Sequence, residues 1–472
     1  MIAILQICAL AILIYFVALS AINLLLVCLG AIQIRNYNNR SVASDFDRIA
    51  KSNFSLPISV IIPAHNEAAI IIGTVENILK LDYPVYEVIV VDDGSTDETI
   101  KLLEQRFNIQ RLEKHGASHI KTQKVQAVYA SSDYPNLVVI VKENGRRADA
   151  INAGVTLSHY PLICIIDADC VIDADGLQRM ARPFLFDPNL AAATGVVRPS
   201  NGLVIENGVI IKRGLPKTWL GMNQEIEYTR SFQWLRIGLN RLQSMLCISG
   251  ALLLIKKSVF EETGGPWPDA ITDDIEYTIR LNGFIFDRKN KRDLNLAFIP
   301  DAVSYTELPE KIDLYLSQRN RWQRGTLQAI FRNWRMFLNP RYGTTSLLGM
   351  PYFLIFEALA PIVEFTAYVL AVVLLVLGLT TWQEILILVL LAYTTSVFLT
   401  LLSIVITETS RLRSSSWKDY WKMILSVFID SLGWHQLRVF TSLWATIQFI
   451  LLRKHDLGAP MARNLKPSST QS

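Results

Sequence analysis

The stretch Leu162-Ile163-Cys164-Ile165-Ile166-Asp167-Ala168-Asp169 decides the fold of this chain. Its first five residues are apolar, rich in β-branched side chains and too few for a helix, which predicts a buried parallel strand. Asp167 and Asp169 would then lie at the carboxyl edge of the sheet, where open α/β sheets bind ligands. Both carboxylates can face a hard cation such as Mg²⁺ or Mn²⁺. Taken alone, such a pair is more often only an acidic turn.

Three similar apolar runs precede this stretch and alternate with helical segments. They span residues 58–63, 86–91 and 137–141. Strands that alternate with helices predict an α/β domain with a Rossmann-like, mainly parallel sheet. Glu67 follows the first run, and Asp92 and Asp93 follow the second. These acidic side chains should therefore share one rim of the sheet with Asp167 and Asp169.

The two ends of the chain are strongly apolar and predict membrane helices. Residues 2–32 contain no charged side chain, which is longer than the ~20 residues that span a bilayer. A cleaved signal peptide would need a basic start and a shorter apolar core, and this stretch has neither. Arg35 and Arg40 follow the span, so the positive-inside rule places the N-terminus outside and the following segment in the cytosol.

A second apolar block predicts three or four further spans. Residues 347–380 and 385–407 are the first two. Residues 423–452 are interrupted by a polar stretch at 430–435, which favours a tight pair of short, tilted spans or one span with a re-entrant piece. Charged groups at this depth are costly, so we expect them to face a polar interior. They are Glu357, Glu364, Asp430, His435 and Arg438.

A basic and aromatic segment separates the soluble part from this block. Residues 311–341 carry seven basic side chains and a single acidic one, interleaved with apolar residues. This pattern is typical of helices at a membrane surface, with arginines near lipid phosphates. The predicted organisation is therefore a span at 1–34, an α/β domain at 50–310, interfacial helices at 311–341 and a helix bundle at 346–455. The net charge of +4 is unremarkable, and no nucleic-acid partner is expected.

Five short motifs occur along the chain in a fixed order. They are Pro63-Ala64-His65-Asn66-Glu67, Asp92-Asp93-Gly94-Ser95, Asp167-Ala168-Asp169, Thr272-Asp273-Asp274 and Gln318-Arg319-Asn320-Arg321-Trp322. Together they resemble family 2 glycosyltransferases with a GT-A fold. The resemblance is specifically to the membrane-integrated processive polysaccharide synthases, such as cellulose, hyaluronan and poly-N-acetylglucosamine synthases. It runs from about residue 58 to residue 325.

The resemblance implies a nucleotide-sugar site on the rim of the sheet. Asp92 or Asp93 would bond the uracil edge, and Glu67 would line the same nucleoside pocket. The alternative for the two aspartates is a turn followed by a helix cap. Asp167 and Asp169 would hold the nucleotide and a Mg²⁺ or Mn²⁺ ion, which neutralises the charge of the leaving group.

The resemblance also implies a general base and a diphosphate contact. Asp274 would take the proton of the acceptor hydroxyl, or else only cap the helix that follows. Asp273 stands where the family has a longer glutamate. Arg147 stands for a lysine that contacts the diphosphate, and its planar fork differs in geometry from an ammonium group.

Acceptor binding is implied for the last motif. Gln318 and Trp322 would hold the acceptor, with Trp322 stacked on its sugar and Arg321 near the diphosphate. Residues 247–251 resemble the loop that holds the terminal sugar of the acceptor. Trp267 either belongs to the segment that leads into the base motif or is part of the ordinary core.

These features together predict an inverting transfer of sugar from a UDP-sugar to a growing polysaccharide, coupled to export. The expected place is the plasma (inner) membrane of a bacterium, with the catalytic domain cytoplasmic. Membrane lipids and an accessory subunit that receives the product would be partners. One alternative is transfer of a single sugar to a polyprenyl phosphate or lipid acceptor. Another is a catalytically silent membrane scaffold.

Overall fold

The computed structural model describes residues 2–43, 55–112, 120–287, 293–409 and 417–453. The chain divides into two compact units, each assembled from separated stretches. Of the described residues, the helical unit contains 2–36, 217–246 and those within 309–453, and the sheet unit contains those within 37–216 and 247–308. No change in composition along the sequence marks the borders of 217–246.

The strands follow the apolar runs of the sequence. In chain order they are β1 (Ile58–Ala64), β2 (Tyr86–Asp93), β3 (Ile109–Arg111), β4 (Val125–Ser131), β5 (Leu137–Lys142), β6 (Leu162–Ile165), β7 (Cys170–Ile172), β8 (Leu190–Pro199), β9 (Val204–Glu206), β10 (Val209–Lys212), β11 (Leu253–Lys256) and β12 (Asn295–Thr306).

The helices connect these strands and build the helical unit. In chain order they are α1 (Ile2–Ala43), α2 (Ile71–Leu79), α3 (Thr99–Phe107), α4 (Arg146–Leu157), α5 (Gly176–Phe186), α6 (Trp219–Glu227), α7 (Arg236–Arg241), α8 (Lys257–Thr263), α9 (Asp273–Ile285), α10 (Ile312–Arg332), α11 (Met350–Tyr352), α12 (Ala360–Val376), α13 (Trp382–Thr409), α14 (Trp417–Ile429) and α15 (His435–Ile450).

Four parallel strands in the order β5-β2-β1-β6 form the centre of the sheet unit. Val60 of β1 lies between Val88 of β2 and Cys164 of β6. Every residue of β1 and β6 is buried, as expected for strands covered on both faces. The α/β fold with a Rossmann-like sheet is therefore confirmed.

The outer strands make the sheet mixed. The full order is β3-β4-β5-β2-β1-β6-β11-β8-β12-β7. β4 is antiparallel to β5, and β11 is antiparallel to both β6 and β8. The apolar runs alone could not show these directions, because a buried strand has the same composition in either direction.

Helix α4 packs closely on the central strands. A Cβ atom at Gly154 would lie 2.6 Å from Cγ2 of Ile61 and 3.0 Å from Cγ2 of Val91. Such distances are below ordinary van der Waals contact, so only glycine permits this approach. The close packing holds the first turn of α4, which contains Arg147, at the carboxyl edge of the sheet.

The helical unit contains segments that are long and apolar enough to cross a membrane. Among the described residues these are Ile2–Asn39 and Trp382–Thr407. Thr345–Ala358 and Ala360–Val376 form a pair bent by 44°, which adds a third if the pair is one span.

The polar stretch at 430–435 does not end the helical conformation. Asp430–Trp434 forms a π-helical turn between α14 and α15. In apolar surroundings a helical backbone keeps its own hydrogen bonds, which favours a turn of this kind over an open loop. The charges are paired as well. Arg438 donates to Asp430 at 3.0 Å, and Nε2 of His435 lies 2.7 Å from Glu364.

Candidate active site

The loops that follow β1 and β2 are locked together at the carboxyl edge of the sheet. The backbone N–H of Asn66 donates to the hydroxyl of Ser95 at 2.9 Å, and the N–H of Glu67 donates to that of Thr99 at 3.0 Å. Nδ1 of His65 lies 2.9 Å from the carbonyl oxygen of Asp93. The first two motifs therefore form one continuous surface on the rim.

Asp93 belongs to a buried ionic triad. The ammonium group of Lys142 lies 2.6 Å from Asp93 and 2.6 Å from Asp149, and its side chain is fully buried. The N–H of Gly145 also donates to Asp93 at 2.9 Å. Buried charges must be paired, and Lys142 supplies the counter-charge for this carboxylate. The sequence reading did not identify Lys142, whose place at the end of an apolar strand was its only signal.

Asp92 has a different environment. It is 1 % exposed, and Oδ2 accepts a hydrogen bond from the backbone N–H of Ser95 at 3.2 Å. Oδ1 has no hydrogen-bond partner among the residues that the structure describes. Burial raises the pKa of Asp92, and the hydrogen bonds from Ser95 offset only part of that effect. An unsatisfied buried acceptor at a ligand-binding edge fits a donor group on a ligand.

Asp167 and Asp169 form the acidic pair after β6. Oxygens of both and Sγ of Cys170 lie within 4.8 Å of one another. Burial is the main cause and the charge of Asp169 the second cause that raise the pKa of the Cys170 thiol well above its usual value. The thiol therefore stays protonated and is a poor ligand for a hard cation. Burial also raises the pKa of Asp167 to about 6. The two carboxylates fit Mg²⁺ or Mn²⁺, which share their remaining positions with phosphate and water.

Arg147 connects two of the motifs and the loop 247–251. Its guanidinium lies 2.6 Å from Asp167, forms an ion pair with Asp273 and donates to the carbonyl oxygen of Gly250 at 2.9 Å. Burial lowers the pKa of Arg147, but the two carboxylates outweigh it and the net shift is upward, so the group stays charged. The planar fork reaches several acceptors at once, which an ammonium group could not do in the same way.

Asp274 lies in the first turn of α9. The N-cap position is held by Thr272, so Asp274 is inside the helix and does not occupy the cap. Its Oδ1 accepts a hydrogen bond from the N–H of Ile275 at 2.9 Å. Asp273, the residue before Asp274, forms an ion pair with Arg147. Because Arg147 also pairs with Asp167, the start of α9 is held beside the acidic pair.

The last motif lies on α10 in the helical unit, which contains Gln318, Arg321 and Trp322. The structure also reveals Arg319, whose Cζ atom lies 4.3 Å from the centroid of the Trp322 ring. Arg319 and Trp322 are three residues apart, and on a helix this spacing predicts that the two side chains are neighbours.

Trp267 is not ordinary core. Its side chain is 38 % exposed, and Cζ of Arg280 lies 4.8 Å from the ring centroid. In the nearby loop 247–251, the N–H of Ile248 donates to the hydroxyl of Thr278 at 3.0 Å. This bond attaches the loop to α9.

Comparison with protein families identifies the family of this chain. The model of glycosyl transferase family 2 matches residues 59–264, and that of glycosyl transferase family group 2 matches residues 162–452. Because the second match covers more than half of the 472 residues, the chain belongs to glycosyl transferase family group 2. It is a glycosyltransferase, and the GT-A fold expected from the sequence is confirmed.

Curated relatives include poly-beta-1,6-N-acetyl-D-glucosamine synthases. The Staphylococcus epidermidis protein is 27% identical over 305 residues, which is 65% of this chain and 61% of the relative. The protein of Staphylococcus aureus strain COL is 26% identical over 306 residues, with the same coverage. The chain thus spans about three fifths of the length of these relatives.

A similar fold occurs among solved structures. One of them is the mannosyltransferase PcManGT from Pyrobaculum calidifontis in complex with GDP-Man and Mn²⁺, with 16% identity over 92% of this chain and 100% of that chain. The TM-score is 0.49.

The buried triad predicts a loss of stability when its cation is removed. Lys142→Met should destabilise the protein by about 3–5 kcal/mol, because Asp93 and Asp149 would then be buried without a counter-charge. Thermal unfolding of the full chain in detergent measures the effect as a lower Tm. Lys101→Met is the control, since its ion pair with Glu98 is exposed and its loss should leave Tm unchanged. An unchanged Tm for Lys142→Met would contradict the structural role of the triad.

Proposed function

We propose that this protein transfers sugar from a UDP-sugar to a growing polysaccharide, with inversion at the anomeric carbon. The observation that carries the proposal is the convergence of Asp167, Asp273 and the first turn of α9 on Arg147. It joins the donor side of the site to the helix that carries the proposed base. The similarity to polysaccharide synthases supports a polymer as the product.

Asp92 is the proposed contact to the base of the nucleotide. Its buried Oδ1 has no hydrogen-bond partner among the described residues and would accept the imide N–H of uracil. Glu67, held at the same surface by Thr99, would line the nucleoside pocket. We assign Asp93 to the support of this pocket, since Lys142 and Gly145 already bond it.

Asp167 and Asp169 would hold the divalent cation, Mg²⁺ or Mn²⁺. The cation supplies charge neutralisation of the departing diphosphate. Arg147 remains charged next to Asp167 and adds positive charge at the same place. We assign Arg321 of α10 to the same diphosphate.

Asp274 is the proposed general base. It would accept the proton of an acceptor hydroxyl while that oxygen forms a bond to the anomeric carbon. The bond from that carbon to the UDP oxygen breaks in the same step, and the nucleotide leaves with the electron pair. A single displacement of this kind inverts the configuration of the anomeric carbon.

Trp322 and Gln318 would bind the acceptor, with the indole ring stacked on a sugar face. We place the reaction on residues 50–310 and 311–341, in the cytoplasm, and the export path in the helices of 346–455. The N-terminus would lie outside the plasma (inner) membrane. Lipids around the interfacial segment and an accessory subunit that receives the polymer complete the proposed partners.

The contact to uracil is tested by comparing UDP with CDP. The imide N–H of uracil can donate to Asp92, whereas the matching nitrogen of cytosine carries no hydrogen. Wild-type protein should therefore prefer UDP, and Asp92→Asn should weaken UDP binding about tenfold and reduce that preference. Calorimetric titration of both nucleotides measures this. A variant that keeps the full preference for UDP would show that Asp92 does not contact the base.

The metal assignment predicts a link between cation and nucleotide. Asp169→Asn should abolish turnover and remove the gain in UDP affinity that Mg²⁺ or Mn²⁺ provides, because Asp169 would hold the cation that would neutralise the charge of the diphosphate. UDP titrations with and without the cation measure this, with the exposed Asp133→Asn as control. Equal affinity of the wild type with and without metal would refute the assignment.

Product length tests the function itself. With its UDP-sugar, the wild type should make long chains, and Trp322→Ala should make short ones or none while UDP release to water continues. The reason is that the ring holds the acceptor, whereas the donor site lies on the sheet. Asp274→Asn is the inactive reference: it should bind UDP normally and turn over about 10²–10⁴-fold more slowly.

Three outcomes of that experiment contradict the proposal in different ways. A wild type that adds one sugar to a lipid or polyprenyl phosphate would replace polymer synthesis with single transfer. A wild type without any transfer or UDP release would favour a silent scaffold. Near-normal turnover of Asp274→Asn would remove the base assignment alone.

A further inference from the structure

Arg319 is a buried cation between two aromatic rings. Its side chain is 6 % exposed. Cζ lies 4.5 Å from the ring centroid of Tyr315 and 4.3 Å from that of Trp322. All three residues are on α10, at spacings of three and four residues that place them on one face. A guanidinium held between two rings in a desolvated place restricts the rotation of both.

The same guanidinium is fixed by hydrogen bonds. Nη2 lies 2.7 Å from Glu227 at the end of α6, and Nη1 donates to Oε1 of Gln318 at 2.5 Å. Nε has no hydrogen-bond partner among the described residues. The ion pair and the two rings therefore determine the position of the guanidinium, although its Nε–H is left without an acceptor among the described residues.

Glu227 also pairs with a second arginine, on α15 of the helical unit. It lies 3.7 Å from Arg438 of α15, and Arg438 lies 3.0 Å from Asp430 in the π-helical turn. The row of alternating charges runs Arg319, Glu227, Arg438, Asp430. Each buried charge has an opposite neighbour, so the row is rigid. Arg319 is the member that reaches Gln318 and Trp322.

We propose that Arg319 is a positioning residue for acceptor binding, an inference that rests on the proposed function of Trp322. It holds the indole of Trp322 and the amide of Gln318 in one orientation before the acceptor arrives. Preorganisation of this kind increases affinity because the rotamer freedom of the ring is lost in folding and not in binding. Arg319 itself does not touch the sugar.

Arg319→Lys separates the ring contact from the charge. Lysine retains the positive charge opposite Glu227 but has no planar group to stack between the rings. We expect the ratio of sugar transfer to UDP release to fall about tenfold and the product to become shorter, with UDP affinity unchanged. Arg324→Lys is the matched control, because Arg324 is buried on the same helix and donates to Asn320 at 2.9 Å. It should keep the wild-type ratio.

A double-mutant cycle tests whether Arg319 acts through the ring. Arg319→Lys should cause little further loss in a Trp322→Ala background, since the ring to be positioned is gone. An equal loss in both backgrounds would overturn the inference. A lower Tm with a normal transfer ratio would also overturn it, because the role would then be structural only.

These outcomes are distinct from failure of the proposed function. A wild type that makes no polymer rejects polymer synthesis, whatever Arg319 does. A wild type that makes polymer, together with Arg319→Lys that makes chains of equal length at an equal ratio, rejects only the positioning role. If Arg319→Lys does not fold, Tyr315→Leu replaces it, since it removes one ring of the pair and should shorten the product.

Discussion

Carboxylates crowd the carboxyl edge of the sheet, and the guanidinium of Arg147 balances their repulsion. Asp167 and Asp273 lie more than 100 residues apart in the sequence, and both pair with this one group. Without a cation between them, like charges in a partly buried place would separate. The position of α9 relative to β6 thus depends on Arg147, and so does the distance between the acidic pair and Asp274.

The same physical solution occurs in the helical unit. Arg319 satisfies Glu227 and at the same time lies between Tyr315 and Trp322. In both places a planar cation serves several partners from different segments, which a single ammonium group does less well. Lys142 shows the contrasting case: a compact charge enclosed by Asp93 and Asp149 in the interior. Each cation therefore fits the geometry of its acceptors.

Much of the fold was predictable because it depends on local patterns. The runs that became β1, β2, β5 and β6 are apolar on both faces, which is typical of strands in a sheet that is covered on both sides. Asp92 and Asp93 end β2, and Asp167 comes two residues after the end of β6, so their placement at the rim needed no knowledge of distant contacts. The antiparallel outer strands were not predictable, because pairing direction depends on which segment lies beside an edge. The helical turn at Asp430–Trp434 was not predictable either, since the pairing of Asp430 with Arg438 is visible only in the folded chain.

The sequence by itself determined the class of protein, the position of each acidic motif and the two apolar blocks, since periodicity and strand ends are local properties. Only the tertiary structure distinguished Asp92 from Asp93. The two are adjacent and chemically identical, yet Lys142, 49 residues away, binds Asp93 and leaves Oδ1 of Asp92 without a partner among the described residues. Successive side chains of a strand point to opposite faces, so neighbours in sequence meet different surroundings. Those surroundings come from distant parts of the chain, so the different environments of Asp92 and Asp93 are visible only in the tertiary structure.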